Sequence, residues 1–150
     1  MTFTPVFLYG SLMDSRVLSH VLGEGPISLE DISQPAKILG YRRVSARGVP
    51  YPVLVPEPGS ATEGLLFFPE YKSDLDRIDF FERDEYVPVL ETARSVGRSY
   101  TCWVYMPNPE AENPLEPLAM PWSMDRFISS QRFSVFLDQV LTWMKDFPEG

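Results

Sequence analysis

The stretch Pro5-Val6-Phe7-Leu8-Tyr9-Gly10-Ser11-Leu12-Met13-Asp14 decides how the fold begins. Its apolar run from Val6 to Tyr9 predicts a strand that is buried on both faces. Gly10 permits backbone angles that other residues resist, so we expect a sharp turn there. The corner Tyr9-Gly10-Ser11-Leu12 therefore leaves a buried strand abruptly, and it is a candidate binding loop.

A short helix is predicted directly after this corner. Asp14 or Ser15 can cap its N-terminus, and apolar positions over 17–22 recur at helical spacing before Gly23 ends it. The backbone N–H groups of residues 10–12 then lie at a strand-to-helix junction, where unpaired donors collect. Such a junction can hold an anionic group such as a carboxylate.

Length and composition indicate the class of protein. The chain has 150 residues, 44% of them hydrophobic, which is typical of one globular domain covering 1–150. No apolar run approaches the roughly 20 residues of a bilayer span, so we expect no membrane segment. A net charge of −8 argues against a nucleic-acid partner, because phosphate contacts need a basic face. The oligomeric state is not indicated.

The single histidine and the single cysteine limit the chemistry. A structural zinc site needs about four N or S ligands, so His20 and Cys102 cannot form one, and we expect no metal. His20 could activate Ser11, although its position favours a surface or half-buried residue. Cys102 is interpreted as a small core residue, and a lone cysteine in a chain whose first residues lack a secretory signal favours the cytoplasm. Carboxylates must then carry any catalysis.

The remaining pattern predicts an α+β or mixed α/β domain with a largely antiparallel, curved sheet. Strands are predicted at 37–44, 53–55, 62–68, 86–93 and 99–106, with turns at 57–60 and 95–98. A helix is predicted at 70–82, and an amphipathic C-terminal helix has the apolar stripe Phe133, Phe136, Leu137, Val140, Leu141 and Met144. Five prolines over 107–121 predict a long surface loop.

One carboxylate is predicted to lie on the apolar face of the helix at 70–82. With Leu75 at zero on a wheel of about 100° per residue, Ile78 falls at about 300° and Glu82 at about 340°. Burial raises the pKa of a carboxyl group toward the range in which it can both accept and donate a proton. Glu82 is therefore a candidate general acid–base. The alternative is that Glu82 pairs with Arg77, Arg83 or another basic residue at the helix end.

Two signatures occur in the order of a known family. They are Tyr9-Gly10-Ser11-Leu12 after a first strand, and Ile78-Asp79-Phe80-Phe81-Glu82 followed by Tyr86. Over about residues 5 to 106 the chain thereby resembles the γ-glutamylcyclotransferase-like superfamily, also called AIG2-like or BtrG-like proteins. The closing Pro121-Trp122-Ser123-Met124-Asp125 is most similar to a bacterial AIG2-like branch. Arg83 stands where many members have Gly.

The resemblance implies a fold, a site and a reaction. The fold is a small mixed α+β barrel with flanking helices. Glu82 would be the general acid–base in one cavity with the substrate-binding residues Tyr9, Gly10, Ser11, Leu12 and Tyr86, whereas Tyr51, Trp103 and Tyr105 are interpreted as packing residues. The reaction is an intramolecular acyl transfer: a γ-glutamyl amine or related compound closes to 5-oxoproline and releases a free amine, and no cofactor is needed.

Two other functions remain open at the level of sequence. The same pocket could bind a small carboxylate-bearing metabolite without catalysis. Alternatively, the proline-rich segment 107–121 and exposed aromatic residues such as Trp122 could contact a protein partner. Release of 5-oxoproline would distinguish the enzyme from both.

Overall fold

The computed structural model describes residues 2–148, in which a sheet is combined with helices. The strands are β1 Val6–Leu8, β2 Ser33–Ala46, β3 Pro52–Phe67, β4 Tyr86–Ser95, β5 Arg98–Pro107 and β6 Pro117–Pro121. The α-helices are α1 Ser15–Leu22, α2 Leu29–Ile32, α3 Lys72–Glu82, α4 Met124–Ser129 and α5 Arg132–Met144. Met1, Glu149 and Gly150, which belong to the predicted domain 1–150, lie outside the described residues, and the single domain stays a prediction.

Five of the strands close into a barrel. The strand order is β3-β1-β5-β4-β2-β6, and β3 also pairs with β2, so that β6 alone extends beyond the closed ring. The pairing is antiparallel except between β1 and β5, which are parallel with Val6 opposite Trp103. The predicted α+β class and the largely antiparallel, curved sheet are confirmed.

Strand β1 is buried on both faces, as its apolar run predicts. Phe7 points into a cluster of side chains drawn from all five barrel strands, which is the interior of the barrel. Val6 and Leu8 point the other way, into a second cluster shared with the helices. Since successive side chains of a strand face opposite sides, one short strand contributes to both cores.

The helices pack on the outside of the barrel. On α5, four residues of the predicted stripe are buried, namely Phe133, Phe136, Val140 and Met144, and Leu137 is half-buried against them. Leu141 is 43% exposed, so the stripe is narrower than predicted. Among residues 2–148, no helix has both the length and the apolarity that a membrane crossing requires.

The helix α1 begins and ends where its sequence predicts. The Asp14 carboxylate accepts hydrogen bonds from the backbone N–H groups of Arg16 and Val17, at 2.9 and 3.3 Å. Gly23 ends the helix in the left-handed conformation, with φ of 72°, which glycine adopts without steric cost. The Asp14 cap therefore starts the helix immediately after the corner.

The predicted turn at 57–60 is wrong. Strand β3 runs continuously through these residues, and its hairpin partner is β2, joined to it through 47–51. Leu39 pairs with Ala61 and Tyr41 pairs with Pro56, so four residues of β3 lie opposite Gly40 alone. The turn-forming residues therefore produce a wide bulge within a strand, where prolines need not donate to the ladder.

The segment 107–121 is also more ordered than predicted. Its last residues form β6, which pairs with β2 through Val44 opposite Pro121 and Ala46 opposite Pro117. An edge strand tolerates proline, because one of its sides has no partner strand. The hairpin between β4 and β5 does agree with the sequence: Val96 and Gly97 have φ of 48° and 74°, as a tight hairpin turn requires.

Gly64 permits the closure of the barrel. A Cβ at this position would lie inside van der Waals distance of the Leu8 carbonyl oxygen and 2.9 Å from Cζ of Phe7. Backbone atoms of a closed barrel cannot move aside easily, so we expect Gly64→Ala to lower the free energy of unfolding by about 1–3 kcal/mol, the usual cost of overpacking. Urea denaturation followed by tryptophan fluorescence measures it.

Gly25→Ala is the matched control for this prediction. A Cβ at Gly25 meets no atom within 4 Å, so we expect a change of no more than about 0.5 kcal/mol. Equal stabilities of the two variants would contradict the role assigned to Gly64.

Candidate active site

All the residues that the sequence assigns to a site line one cavity. They are Tyr9, Gly10, Ser11, Leu12, Glu82 and Tyr86. The cavity has a volume of about 560 Å³, including the space at its mouth. It lies at one end of the barrel. The parallel strands β1 and β5 end there, and β3 and β4, which run antiparallel to them, begin there. Helices α3 and α5 complete its wall.

The corner after β1 is a single 3-10 turn over Ser11–Met13. The N–H groups of Met13 and Asp14 donate to the carbonyls of Gly10 and Ser11, at 3.0 and 3.1 Å. The N–H groups of Ser11 and Leu12 stand at the start of the turn, where no earlier carbonyl of the turn is available to them. These are the donors that the sequence predicts for an anionic group.

Gly10 has both unusual backbone angles and a packing requirement. Its φ of −133° and ψ of −135° lie outside the helical, extended and left-handed regions. A Cβ at Gly10 would also approach Cδ of Pro52 to 2.9 Å. Glycine lets the corner lie directly against the start of β3, which brings the two together at the cavity.

Tyr9 is held at both its backbone and its side chain. Nη1 of Arg43 donates to the Tyr9 carbonyl at 3.0 Å and to the Glu63 carbonyl at 3.1 Å. The Tyr9 hydroxyl donates to the carbonyl of Tyr105. Arg43 thus ties the corner to β3, and the Tyr9 ring spans the end of the barrel to β5.

Glu82, the last residue of α3, is a half-buried carboxyl group. Burial, followed by the negative charges of Glu85 and Asp79, raises the pKa of Glu82 to about 8. None of the ion pairs found among residues 2–148 involves Glu82. The carboxyl group is therefore close to half protonated at a pH slightly above neutrality.

The predicted alternative, an ion pair of Glu82 with Arg77, Arg83 or another basic residue at the helix end, is not formed among the described residues. Nε of Arg77 donates to the Val21 carbonyl at 2.6 Å. The Arg83 guanidinium is exposed and lies 4.9 Å from the centre of the Phe80 ring. Arg83 is also absent from the cavity lining.

Four tyrosine rings surround the carboxyl group of Glu82. Burial first, together with the negative charge of Glu82, raises the pKa of Tyr9, Tyr51, Tyr86 and Tyr105 above the ordinary value. All four phenols therefore remain protonated donors at any physiological pH. The Tyr86 hydroxyl donates to the Pro52 carbonyl at 2.6 Å, and the Tyr105 hydroxyl donates to Asp79 at 3.0 Å.

Several cavity residues were not predicted from the sequence. Tyr51 and Tyr105 were interpreted as packing residues, yet both line the cavity, as do Glu85 and Trp143. Tyr51 donates its hydroxyl to Glu85 at 2.6 Å. Glu85 directly precedes the predicted site residue Tyr86, and this position in the sequence was a signal that could have identified Glu85. Trp103 is also interpreted as a packing residue. It is half-buried against the outer core, which is the apolar cluster shared by the barrel and the helices.

The Ser11 and His20 pair does not form. Ser11 lines the cavity, whereas His20 borders a separate surface groove beside α1. No hydrogen bond joins the two within the part of the chain that is described. Within residues 2–148, no group of three or more His, Cys, Asp or Glu side chains is arranged to hold a metal ion.

A family model and a known protein each match most of this chain. The family model "Gamma-glutamyl cyclotransferase, AIG2-like" matches residues 6–124. "Protein AIG2 C" of Arabidopsis thaliana is 23% identical over 153 residues, which cover 97% of this chain and 85% of that protein. The likeness to a bacterial branch stays a prediction.

Solved structures share the fold. The solution structure of an Arabidopsis thaliana protein is 21% identical with a TM-score of 0.62, covering 97% of this chain and 95% of that one. A structure titled "Gamma-glutamyl cyclotransferase" is 13% identical with a TM-score of 0.61, covering 98% and 89%. At these identities the likeness establishes the barrel and its flanking helices.

The raised pKa of Glu82 predicts how stability depends on pH. The pKa of Glu82 is about 8 in the folded chain and near 4.5 in the unfolded chain, so the folded chain holds the proton more tightly. The stability that this difference contributes is complete below about pH 4.5 and is lost as the pH rises to about 8. We expect Glu82→Gln to remove this loss, so the free energy of unfolding of the variant rises relative to the native protein between pH 5 and pH 8. Urea denaturation at several pH values measures the difference.

Glu112→Gln is the control, because Glu112 is exposed in the segment before β6. Its stability difference from the native protein should not change over the same pH range. Parallel stability curves for the native protein and Glu82→Gln would show that Glu82 titrates as an ordinary carboxyl group.

Proposed function

The chain belongs to the gamma-glutamyl cyclotransferase, AIG2-like family, and on that premise we propose that it cyclises a γ-glutamyl amine or a related γ-glutamyl compound. The products are 5-oxoproline and a free amine. The observation that carries this proposal is the position of Glu82: a half-buried carboxyl group with a raised pKa shares one cavity with the corner Tyr9–Leu12.

The corner binds the substrate's α-carboxylate in this proposal. The N–H groups of Ser11 and Leu12 have no acceptor within their own turn, and both residues line the cavity, so in this proposal they donate to the anion. Charge-assisted hydrogen bonds of this kind are stronger than neutral ones. Holding the carboxylate there fixes one end of the γ-glutamyl group, while its γ-carbonyl lies deeper, between Tyr9 and Tyr86.

Glu82 removes the proton that prevents the α-nitrogen from reacting. An ammonium beside Glu82 favours the ionised carboxylate, which then accepts a proton from it. The freed amine attacks the γ-carbonyl carbon, the new C–N bond closes a five-membered ring, and the ring nitrogen loses a second proton. A curled conformer held in the cavity makes this attack intramolecular and therefore fast.

The leaving nitrogen gains the protons that the α-nitrogen loses. Glu82 gives the first of these protons to that nitrogen as the bond to the γ-carbon breaks. It then takes the second proton from the ring nitrogen, which keeps one N–H, and passes it to the released amine. The amine departs as an ammonium ion, so no net proton is consumed and Glu82 is regenerated. A carboxyl group whose pKa is about 8 suits both directions of transfer near neutral pH.

The remaining expectations from the sequence accompany this proposal as predictions. They are a cytoplasmic localisation, for which the buried Cys102 is the supporting residue, and the absence of a nucleic-acid partner, for which the net charge of −8 is the support. The non-catalytic binding of a small carboxylate-bearing metabolite would use the same corner and is separated by experiment.

The first test is release of 5-oxoproline from γ-glutamyl amines, γ-glutamyl amino acids and γ-glutamyl peptides, followed by chromatography. We expect release by the native protein and a fall of about 10²–10⁴-fold in Glu82→Gln, the usual contribution of a general acid–base. Glu112→Gln should retain the native rate. If no compound yields 5-oxoproline but several raise the melting temperature of both native protein and Glu82→Gln, the protein is a binder and the cyclotransferase proposal fails.

The second test is the dependence of kcat/KM on pH. Because kcat/KM reports the pKa of the free enzyme, log kcat/KM should rise with a slope of one up to about pH 8 and then level, after correction for the substrate's own amine. Glu85→Gln should move this break to lower pH, since the charge of Glu85 is one cause of the raised pKa. A break near pH 4.5 would contradict the role of Glu82.

A further inference from the structure

A side chain, and not a backbone group, connects β1 to β3 beyond their last residue pair. The register of the two strands ends at Leu8 opposite Leu65. Just beyond this pair, the carbonyls of Tyr9 and Glu63 both accept a hydrogen bond from Nη1 of Arg43, at 3.0 and 3.1 Å. The corner therefore leaves the sheet at the point where the Arg43 guanidinium satisfies the carbonyls of both strands.

The guanidinium of Arg43 also lies against an aromatic ring. Its central carbon is 5.4 Å from the centre of the Trp122 ring, which is within the range of a cation–π interaction. Trp122, which was expected to be exposed, is only 8% exposed, and its indole N–H donates to the Pro50 carbonyl at 2.8 Å. Two carbonyls and a ring with its own anchor thus hold the guanidinium in one place.

Arg43 carries a positive charge that no ion pair neutralises. The residue is half-buried, and none of the ion pairs found among residues 2–148 involves it. Its Nε is buried and has no hydrogen-bond acceptor among the described residues. Burial lowers the pKa of Arg43, although an arginine side chain stays protonated at physiological pH. Because a buried charge without a counter-ion is unfavourable, packing alone does not account for an arginine at this position.

The cavity lining has no positive charge to offer a bound carboxylate. Its described residues include the carboxyl groups of Glu82 and Glu85 and no lysine, arginine or histidine. An anion at the corner therefore depends on backbone N–H groups and on charges outside the lining. Arg43 is such a charge, because it is hydrogen-bonded to the corner without being part of the lining.

The contact with Arg43 also sets the direction of the peptide group that joins Tyr9 to Gly10. This peptide is trans, so its carbonyl and its N–H point in opposite directions. Because the carbonyl is directed at Arg43, the N–H of Gly10 is directed away from Arg43, and Gly10 lines the cavity. A cation bound to the carbonyl also polarises the peptide group, which makes its N–H a stronger donor.

We propose that Arg43 is a positioning residue for the binding of a carboxylate at the corner. It orients the peptide group between Tyr9 and Gly10, and it supplies the positive charge that the cavity lining lacks. The inference rests on the proposed function, since it concerns the place where that function puts the α-carboxylate of the γ-glutamyl group. Arg43 acts through the backbone of the corner and does not touch the substrate.

The experiment compares two ligands that differ in a single charge. One is the γ-glutamyl amide of n-butylamine with its free α-carboxylate, and the other is the same compound with the α-carboxylate converted to a carboxamide. Calorimetry with Glu82→Gln as the parent protein measures both affinities without turnover. We expect the carboxylate compound to bind the parent at least about tenfold more tightly, because charge-assisted hydrogen bonds are stronger than neutral ones.

Substitution of Arg43 in this parent tests its role through the ratio of the two affinities. Arg43→Gln removes the charge and should bring the ratio to within about threefold of one. Arg43→Lys keeps the charge but not the planar fork, so its ratio should lie between those of the parent and Arg43→Gln. If Arg43→Gln does not fold, as measured by circular dichroism, the ratio of Arg43→Lys decides.

Arg42→Gln is the matched control. Arg42 is the adjacent arginine of β2, and successive side chains of a strand face opposite sides. It forms an ion pair with Glu57 and donates to the Ala119 carbonyl, so it has no contact with the corner in the described structure. The ratio of the two affinities should therefore stay at the parent value in Arg42→Gln.

The outcomes separate this inference from the reaction. If no compound yields 5-oxoproline but the affinity ratio depends on Arg43, the cyclotransferase proposal fails and the role of Arg43 stands. If 5-oxoproline is released but the Arg43 variants keep the parent ratio, the reaction stands and the role of Arg43 is overturned. An equal loss of affinity for both compounds also overturns it, because Arg43 would then support the fold alone. A parent ratio near one has the same consequence, since the corner would have no preference for a carboxylate.

Discussion

Strand β3 pairs with β1 along one edge and with β2 along the other, and this double pairing closes the sheet into a barrel. Residues 65–67 make both pairings at once. Two close backbone approaches permit it: Gly64 lies against the Leu8 carbonyl, and Gly10 lies against Pro52. Because the ring is closed, the chain can leave β1 only by turning across the end of the barrel, and that turn is the corner that lines the cavity.

The same closure determines the electrostatics of the cavity. The ends of β1, β3, β4 and β5 converge there, and helices α3 and α5 cover them, so Glu82 is withdrawn from water without a cationic partner among the described residues. Burial and the neighbouring carboxylates raise its pKa to about 8. The surrounding phenols are occupied in hydrogen bonds to Pro52, Glu85, Asp79 and the Tyr105 carbonyl, which order the cavity wall and leave the carboxyl group of Glu82 available.

Elements with a strong local signal could be predicted from the sequence. The Asp14 and Gly23 caps act through neighbouring backbone groups, and the Val96-Gly97 turn needs only its own dihedral angles. Two of the failures are at prolines. Residues 57–60 form a bulge and 117–121 form an edge strand, because proline is excluded only from positions that must donate to a ladder. Which positions donate depends on the partner strand, and local sequence carries no information about that partner.

For the candidate site, the helical period of 3.6 residues was sufficient to identify Glu82 as an acid on an apolar face, and the sharp end of the first strand identified the corner 9–12. Tyr86 was expected from the resemblance, but tertiary structure alone decided which further groups join them. Periodicity shows that a face is apolar but not which element covers it, so Tyr51, Tyr105 and Trp143 could not be told from ordinary packing residues. Only closure of the barrel and docking of α5 bring these rings, and Glu85, to the same cavity as Glu82.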